Sequence, residues 1–99
     1  MRILLKGTIA TGFREINVDN DLRTLQELVN GNIEVVTLTN DCVLICNEEG
    51  VVNNMRYNCN YLGMDLFGPI LLAGVDGEDF TDCPWSVTMA NKGITEAGR

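Results

Sequence analysis

The sequence predicts an α+β domain: one mostly antiparallel sheet of about five strands, with a single helix over about 21–30 packed on one face. Three stretches carry that expectation. Asp21–Gly50 reads as an amphipathic helix, a stop, a strand, a short polar turn and a second strand. Within it, Cys42–Cys46 is apolar on both faces, the pattern of a strand covered on two sides. Ile70–Ala73 is a second short apolar run, bounded by Gly68-Pro69 and Gly74.

In chain order, Arg2–Leu5 is the first apolar run, and Lys6-Gly7-Thr8 and Thr11-Gly12 mark turns around a brief connection. Phe13–Val18 alternates as a strand and pairs with the first run as an antiparallel hairpin. Asp19-Asn20-Asp21 supplies oxygens that can cap a helix. Leu22, Leu25, Leu28 and Val29 then gather on one helical face, which is expected to bury Leu22. Thr24–Glu27 offers a competing start as a capping box. Asn30-Gly31 ends the helix, with Gly31 suited to the left-handed position.

Ile33–Leu38 is β-branched and extended. Asn40-Asp41 forms a turn into Cys42–Cys46. Asn47–Gly50 is the next turn, with Gly50 expected at positive φ. Val51–Met64 is polar and loop-like. Val51-Val52 could begin a strand, and a single helical turn is possible around Cys59–Gly63. Asp76-Gly77 turns sharply into Glu78-Asp79-Phe80, and Pro84-Trp85 is the last anchor. The expected organisation is one globular domain over 1–82 and a C-terminal extension over 83–99, frayed from Asn91 onward.

Ninety-nine residues at 45% hydrophobic content fit one folded domain. No apolar run approaches the roughly 20 residues of a membrane span, and MRILLKG is too short in its apolar part for a signal peptide. A cytoplasmic protein without a membrane role is expected. The net charge is −7, and residues 24–91 hold ten acidic side chains against one base, Arg56. That balance disfavours direct nucleic-acid binding and favours either a basic protein partner or plain solubility. Cys42 and Cys46 on one strand are separated by roughly 13 Å, too far for a disulfide or a shared metal ion. Cys59 and Cys83 stand alone in sequence, and there is no histidine. Four buried, reduced thiols are expected, with no metal and no cofactor.

Catalytic chemistry finds little to work with. The commonest general base is missing, and no Ser or Cys nucleophile has a sequence-evident partner. Glu48-Glu49 and the Asp76, Glu78, Asp79 group are paired carboxylates, more simply read as solvated turn charges. A hydrolase using Glu48, Glu49 or Asp79 is the least favoured class, and cation binding by 76–82 lacks calcium-loop spacing. Tyr57, Tyr61 and Trp85 could stack on a base beside Arg56, although core packing is the plainer reading. Asn53, Asn54, Asn58 and Asn60 offer paired donors and acceptors for a polar ligand, or ordinary loop chemistry.

LQELVNGNIEVVTL (25–38), CNEEG (46–50), GPILLAG (68–74) and DGEDF (76–80) occur in that order. The pattern resembles a small domain-of-unknown-function family common in phages and mobile elements of bacteria, over about residues 12–82. That family typically carries a proline between the NEEG turn and a following asparagine. Here the segment is VVNNMRY, without proline, and Asn58 takes the asparagine position. The resemblance implies context: small accessory proteins of such elements often act by binding.

The leading expectation is a non-enzymatic binding protein that neutralises a host factor, in the manner of an anti-defence protein. Its binding residues are drawn from Glu48, Glu49, Asn54, Arg56, Tyr57, Asn58, Asp76, Glu78 and Asp79. The partner is a host protein met by the acidic surface or a small nucleotide. The nucleotide route gains if Arg14, Arg23 and Arg56 converge. The alternative class is a structural module forming a homodimer or higher homo-oligomer through an edge such as Phe13–Val18.

Overall fold

Apolar residues on both faces of two strands decide the layering. In a computed structural model, which describes residues 1–95, all six residues of β4 (Cys42–Asn47) and the first five of β7 (Ile70–Asp76) are buried. Alternation along a strand sends successive side chains to opposite faces, so such strands need a cover on each side. Leu4, Leu44, Cys46, Ile70 and Leu72 point into one apolar cluster, and Ile3, Leu5, Val43, Ile45, Leu71 and Ala73 into another.

The main sheet is antiparallel in every pairing. It runs β2 (Arg14–Asn17), β1 (Arg2–Lys6), β7, β4, β3 (Ile33–Thr37), with β8 (Asp79–Thr81) folded back on β7. Leu4 lies opposite Leu72, which lies opposite Leu44, a row of three leucines across one face. The expected hairpin of the first two strands is present, pairing Arg2 with Asn17 through Leu5 with Arg14.

The helix α1 (Leu22–Val29) covers one face through Leu25 and Val29. Asp21 caps it, accepting from the Thr24 N–H at 2.7 Å. That bond favours the ionised carboxylate and holds the Asp21 pKa below its ordinary value. Two expectations about this helix are corrected. The left-handed residue is Asn30 (φ 62°), not Gly31, and Leu22 in the first turn is 55% exposed.

The single-sheet expectation is also corrected. The second face of the main sheet is covered by a separate three-stranded sheet, β6 (Met64–Phe67), β5 (Tyr57–Tyr61), β9 (Ile94–Thr95), together with a second short helix, α2 (Val87–Asn91). Cys59–Gly63 is therefore a strand and its hairpin turn, not a helical turn, and Val51-Val52 is an exposed turn. Gly50 does not have positive φ; Asn54 does (φ 55°). Glycine at 50 is required instead because a Cβ there would come 2.9 Å from the Phe67 carbonyl oxygen.

The segment after residue 82 belongs to the body of the fold. The Cys83 N–H donates to the Arg2 carbonyl at 2.8 Å, and Arg2 Nη1 donates to the Cys83 carbonyl at 2.6 Å. Cys83 and Ala90 are buried, and β9 pairs Ile94 with Tyr61. The expectation of fraying from Asn91 thus fails for 91–95, because Tyr61 and Ala90 give that segment apolar surface to cover; 96–99 lie outside the described residues. No helix among the described residues is long and apolar enough to cross a membrane.

Candidate functional site

Period-two alternation in RILLK places Lys6 on the same face as Leu4, toward the interior. The residue is only 2% exposed. Its ammonium donates to the Thr8 carbonyl and to Asn58 Oδ1, both at 2.6 Å. Burial disfavours the charged form and lowers the Lys6 pKa, partly opposed by the nearby Cys59 thiol.

Asn58 reaches Lys6 because of a break in strand pairing. Tyr57 faces Phe67 and Cys59 faces Leu66, so Asn58 is the extra residue of a bulge. A bulge re-aims its side chain. The Asn58 amide donates to the Lys6 carbonyl at 2.9 Å and to the Gly68 carbonyl at 2.8 Å, completing a closed network at 1% exposure. Gly68 sits at φ +79°, and a Cβ there would meet Met55 Sδ at 2.8 Å. The Lys6–Asn58 link thus ties the end of β1, the bulge of β5 and the turn before β7.

Two clefts adjoin this link. One, of about 460 Å³, is lined by Lys6, Asn58 and Cys59 together with Ile9, Thr11 and Ile94. The other, of about 580 Å³, is lined by Thr8, Asn54, Arg56 and Pro69. Ile9, Ala10, Tyr57 and Asn58 border both. Tyr57 is held by an edge contact with Phe67 (5.4 Å, 74°) and by its hydroxyl, which donates to Asp65 Oδ1 at 3.1 Å. Ile9, on the Gly7–Gly12 loop, is 68% exposed at the rim.

Of the candidate residues, the structure gathers Asn54, Arg56, Tyr57 and Asn58 here and leaves the carboxylates elsewhere. Glu48 and Glu49 border a smaller acidic cleft of about 150 Å³ with Glu34 and Asp65. Asp76, Glu78 and Asp79 lie at the β7–β8 turn. Because β4 and β7 are antiparallel, with Cys42 opposite Gly74, that turn is at the far end of the main sheet from Glu48. Among the described residues, no group of three His, Cys, Asp or Glu side chains could hold a metal ion. The arginines do not converge within the chain. Arg14 is on edge strand β2, Arg23 lies 3.5 Å from Glu27 on α1 across the main sheet, and Arg56 precedes β5.

The remaining aromatics are structural. Tyr61 is fully buried, donating to the Ala90 carbonyl at 2.8 Å, and Trp85 packs against the same cluster. The four cysteines are free and buried. Cys83, solitary in sequence, is adjacent to Cys42 in the fold. The neighbouring Cys83 sulfur and burial push the Cys42 thiol far above its ordinary range. Burial likewise pushes Cys46 up to about 11.

Sequence reasoning missed Lys6. The available signal was its register with Leu4 at the end of an apolar strand, which puts an amine where a hydrophobic side chain is expected.

The model of a family described as a domain of unknown function, DUF3846, matches residues 1–91. The chain belongs to this family. The match takes in β1, which carries Lys6, the whole of β5, and α2 in the segment after Cys83. The DUF3846 region therefore contains both clefts apart from the part of the wall made by β9. No match was found among curated proteins or among solved structures.

Proposed function

We propose that this DUF3846 domain is a non-enzymatic binding protein of a phage or mobile element that sequesters a small nucleotide signal and so neutralises a host defence factor. The observation that carries this reading is the pair of adjoining clefts that share Tyr57 and Asn58, one of them lined by the buried Lys6 that Asn58 holds. The groups presented are those of recognition. Tyr57 offers a ring for a base to stack on, Asn54 offers amide donors and acceptors, and Arg56 offers a planar fork for a phosphate. The cleft sizes fall in the ordinary range for small-ligand sites, roughly 300–1,000 Å³.

A second reading rests on the β7–β8 turn. There Asp76, Glu78 and Asp79 are exposed together and could meet a basic groove on a host protein. Reversing all three (Asp76→Lys, Glu78→Lys, Asp79→Lys) separates the two. Nucleotide capture is expected to persist or strengthen, because the negative field repelling an anion is reduced. Arg56→Ala is expected to weaken capture by about tenfold or more, one charge-assisted bond being worth about 1.5–3 kcal/mol. Titration calorimetry on nucleotides eluted from a host lysate reads both variants. If neutralisation of the host factor disappears with the charge reversal and survives Arg56→Ala, the acidic surface is the functional one.

A further inference from the structure

Lys6 carries a feature that packing does not explain. An ammonium has three N–H donors, and two are used, on the Thr8 carbonyl and Asn58 Oδ1. Both acceptors are neutral. The ion pairs among the described residues join Arg2 to Glu15 and Arg23 to Glu27, and no described carboxylate lies within 4.0 Å of Lys6. Buried charges are ordinarily paired, because neutral dipoles recover only part of the lost hydration. Here a buried cation, in a chain of net charge −7, lines an open cleft with one donor that no described residue accepts.

We propose that Lys6 is the anion seat of this cleft, and that its third N–H takes an oxygen of a phosphate or similar oxyanion on the ligand. The assignment rests on the capture reading above and gives that ligand a charged end. Lysine suits the task as a compact point charge, and Asn58 and the Thr8 carbonyl hold it so that little ordering remains when the anion arrives. Cys59 and Ile94 give the same cleft an apolar, largely buried lining, which strengthens a charge–charge contact made there. Arg56 lines the neighbouring cleft, and Tyr57 borders both, so each cleft holds one cation and shares the ring. A ligand with an anionic group and a planar body bound against Tyr57 satisfies both features.

The chain has two lysines, Lys6 and the exposed Lys92, so lysine side-chain ¹⁵N NMR gives one reporter and one internal control in the wild-type protein. The probes are sulfate, adenosine 5′-monophosphate and adenosine, each at constant ionic strength. Sulfate is expected to shift the Lys6 signal saturably, and the monophosphate to do so at lower concentration, while adenosine leaves it unmoved. Lys92 should drift only linearly. Lys6→Met is expected to weaken monophosphate binding at least tenfold and adenosine binding by much less. A silent Lys6, or two lysines shifting in parallel, overturns the anion seat. Nucleotide capture together with a silent Lys6 removes this inference and leaves the capture reading. A saturable sulfate shift without nucleotide capture keeps the anion seat and removes sequestration.

Discussion

Asn58→Leu is expected to lower the free energy of unfolding by about 3–5 kcal/mol, the range for removing one partner from a buried charged network. The side chain is 1% exposed and serves three contacts at once. It accepts from the Lys6 ammonium and donates to the Lys6 and Gly68 carbonyls. Leucine approximates its volume but leaves a buried cation with one protein acceptor and takes a donor from each of two carbonyls. Asn47→Leu is the matched control. Asn47 is also buried, donating to the Val29 and Asn30 carbonyls and accepting from the Glu49 N–H, but no charge depends on it. Its loss should cost less. Urea unfolding midpoints compare the two directly. A cost for Asn58→Leu at or below that of Asn47→Leu would mean that water entering the cleft satisfies Lys6 without the asparagine.

Tyr61→Ala is expected to be of similar size, about 3–5 kcal/mol, because a fully buried aromatic leaves a cavity as well as lost transfer energy. Its ring meets Phe13 edge-on at 5.5 Å, and its hydroxyl holds the Ala90 carbonyl of α2. For a domain of this length that loss corresponds to a fall in melting temperature of at least about 12 °C. Tyr61→Phe keeps the ring and should cost only about 1 kcal/mol, the net worth of one hydrogen bond. Hydrogen exchange adds a local readout: the amides of Ala90, Lys92 and Gly93 should lose protection in Tyr61→Ala before the β4 and β7 amides do. Uniform loss across the chain would show that the second sheet and α2 do not open separately from the main sheet.

The legible parts of this fold are those in which one residue type decides one local feature. The Asp19–Asp21 cluster and the Asn30-Gly31 stop bracket α1, Cys42–Cys46 announces a doubly covered strand, and Asp76-Gly77 forms its turn with Gly77 at φ +63°. The second sheet was not legible for a physical reason. Its central strand, β5, comes from an asparagine-rich stretch, and Asn58 and Asn60 find their partners within the fold. Asn60 Oδ1 caps the Gly63 N–H, and Asn58 turns inward at a bulge that has no sequence mark. Side-chain amides that read as loop chemistry in isolation become strand residues once a buried partner exists. The helix alone could not cover both faces of β4, and that imbalance was the signal for another layer.

The candidate site was half legible for the same reason. Arg56, Tyr57 and Asn58 were identifiable as a cluster because they are adjacent in sequence. Lys6 is 52 positions from Asn58, and only the fold brings them together. The acidic groups, prominent in composition, are separated by antiparallel pairing and do not share a cleft with the cations.

The most direct test of the capture account is a native mass spectrum of the wild-type protein, incubated with host lysate and re-isolated without denaturation. The account predicts a stoichiometric adduct of nucleotide mass that is lost on unfolding and diminished in Arg56→Ala. A spectrum containing only the unliganded chain or its homo-oligomer would contradict it, and a protein adduct would contradict it in favour of the acidic surface.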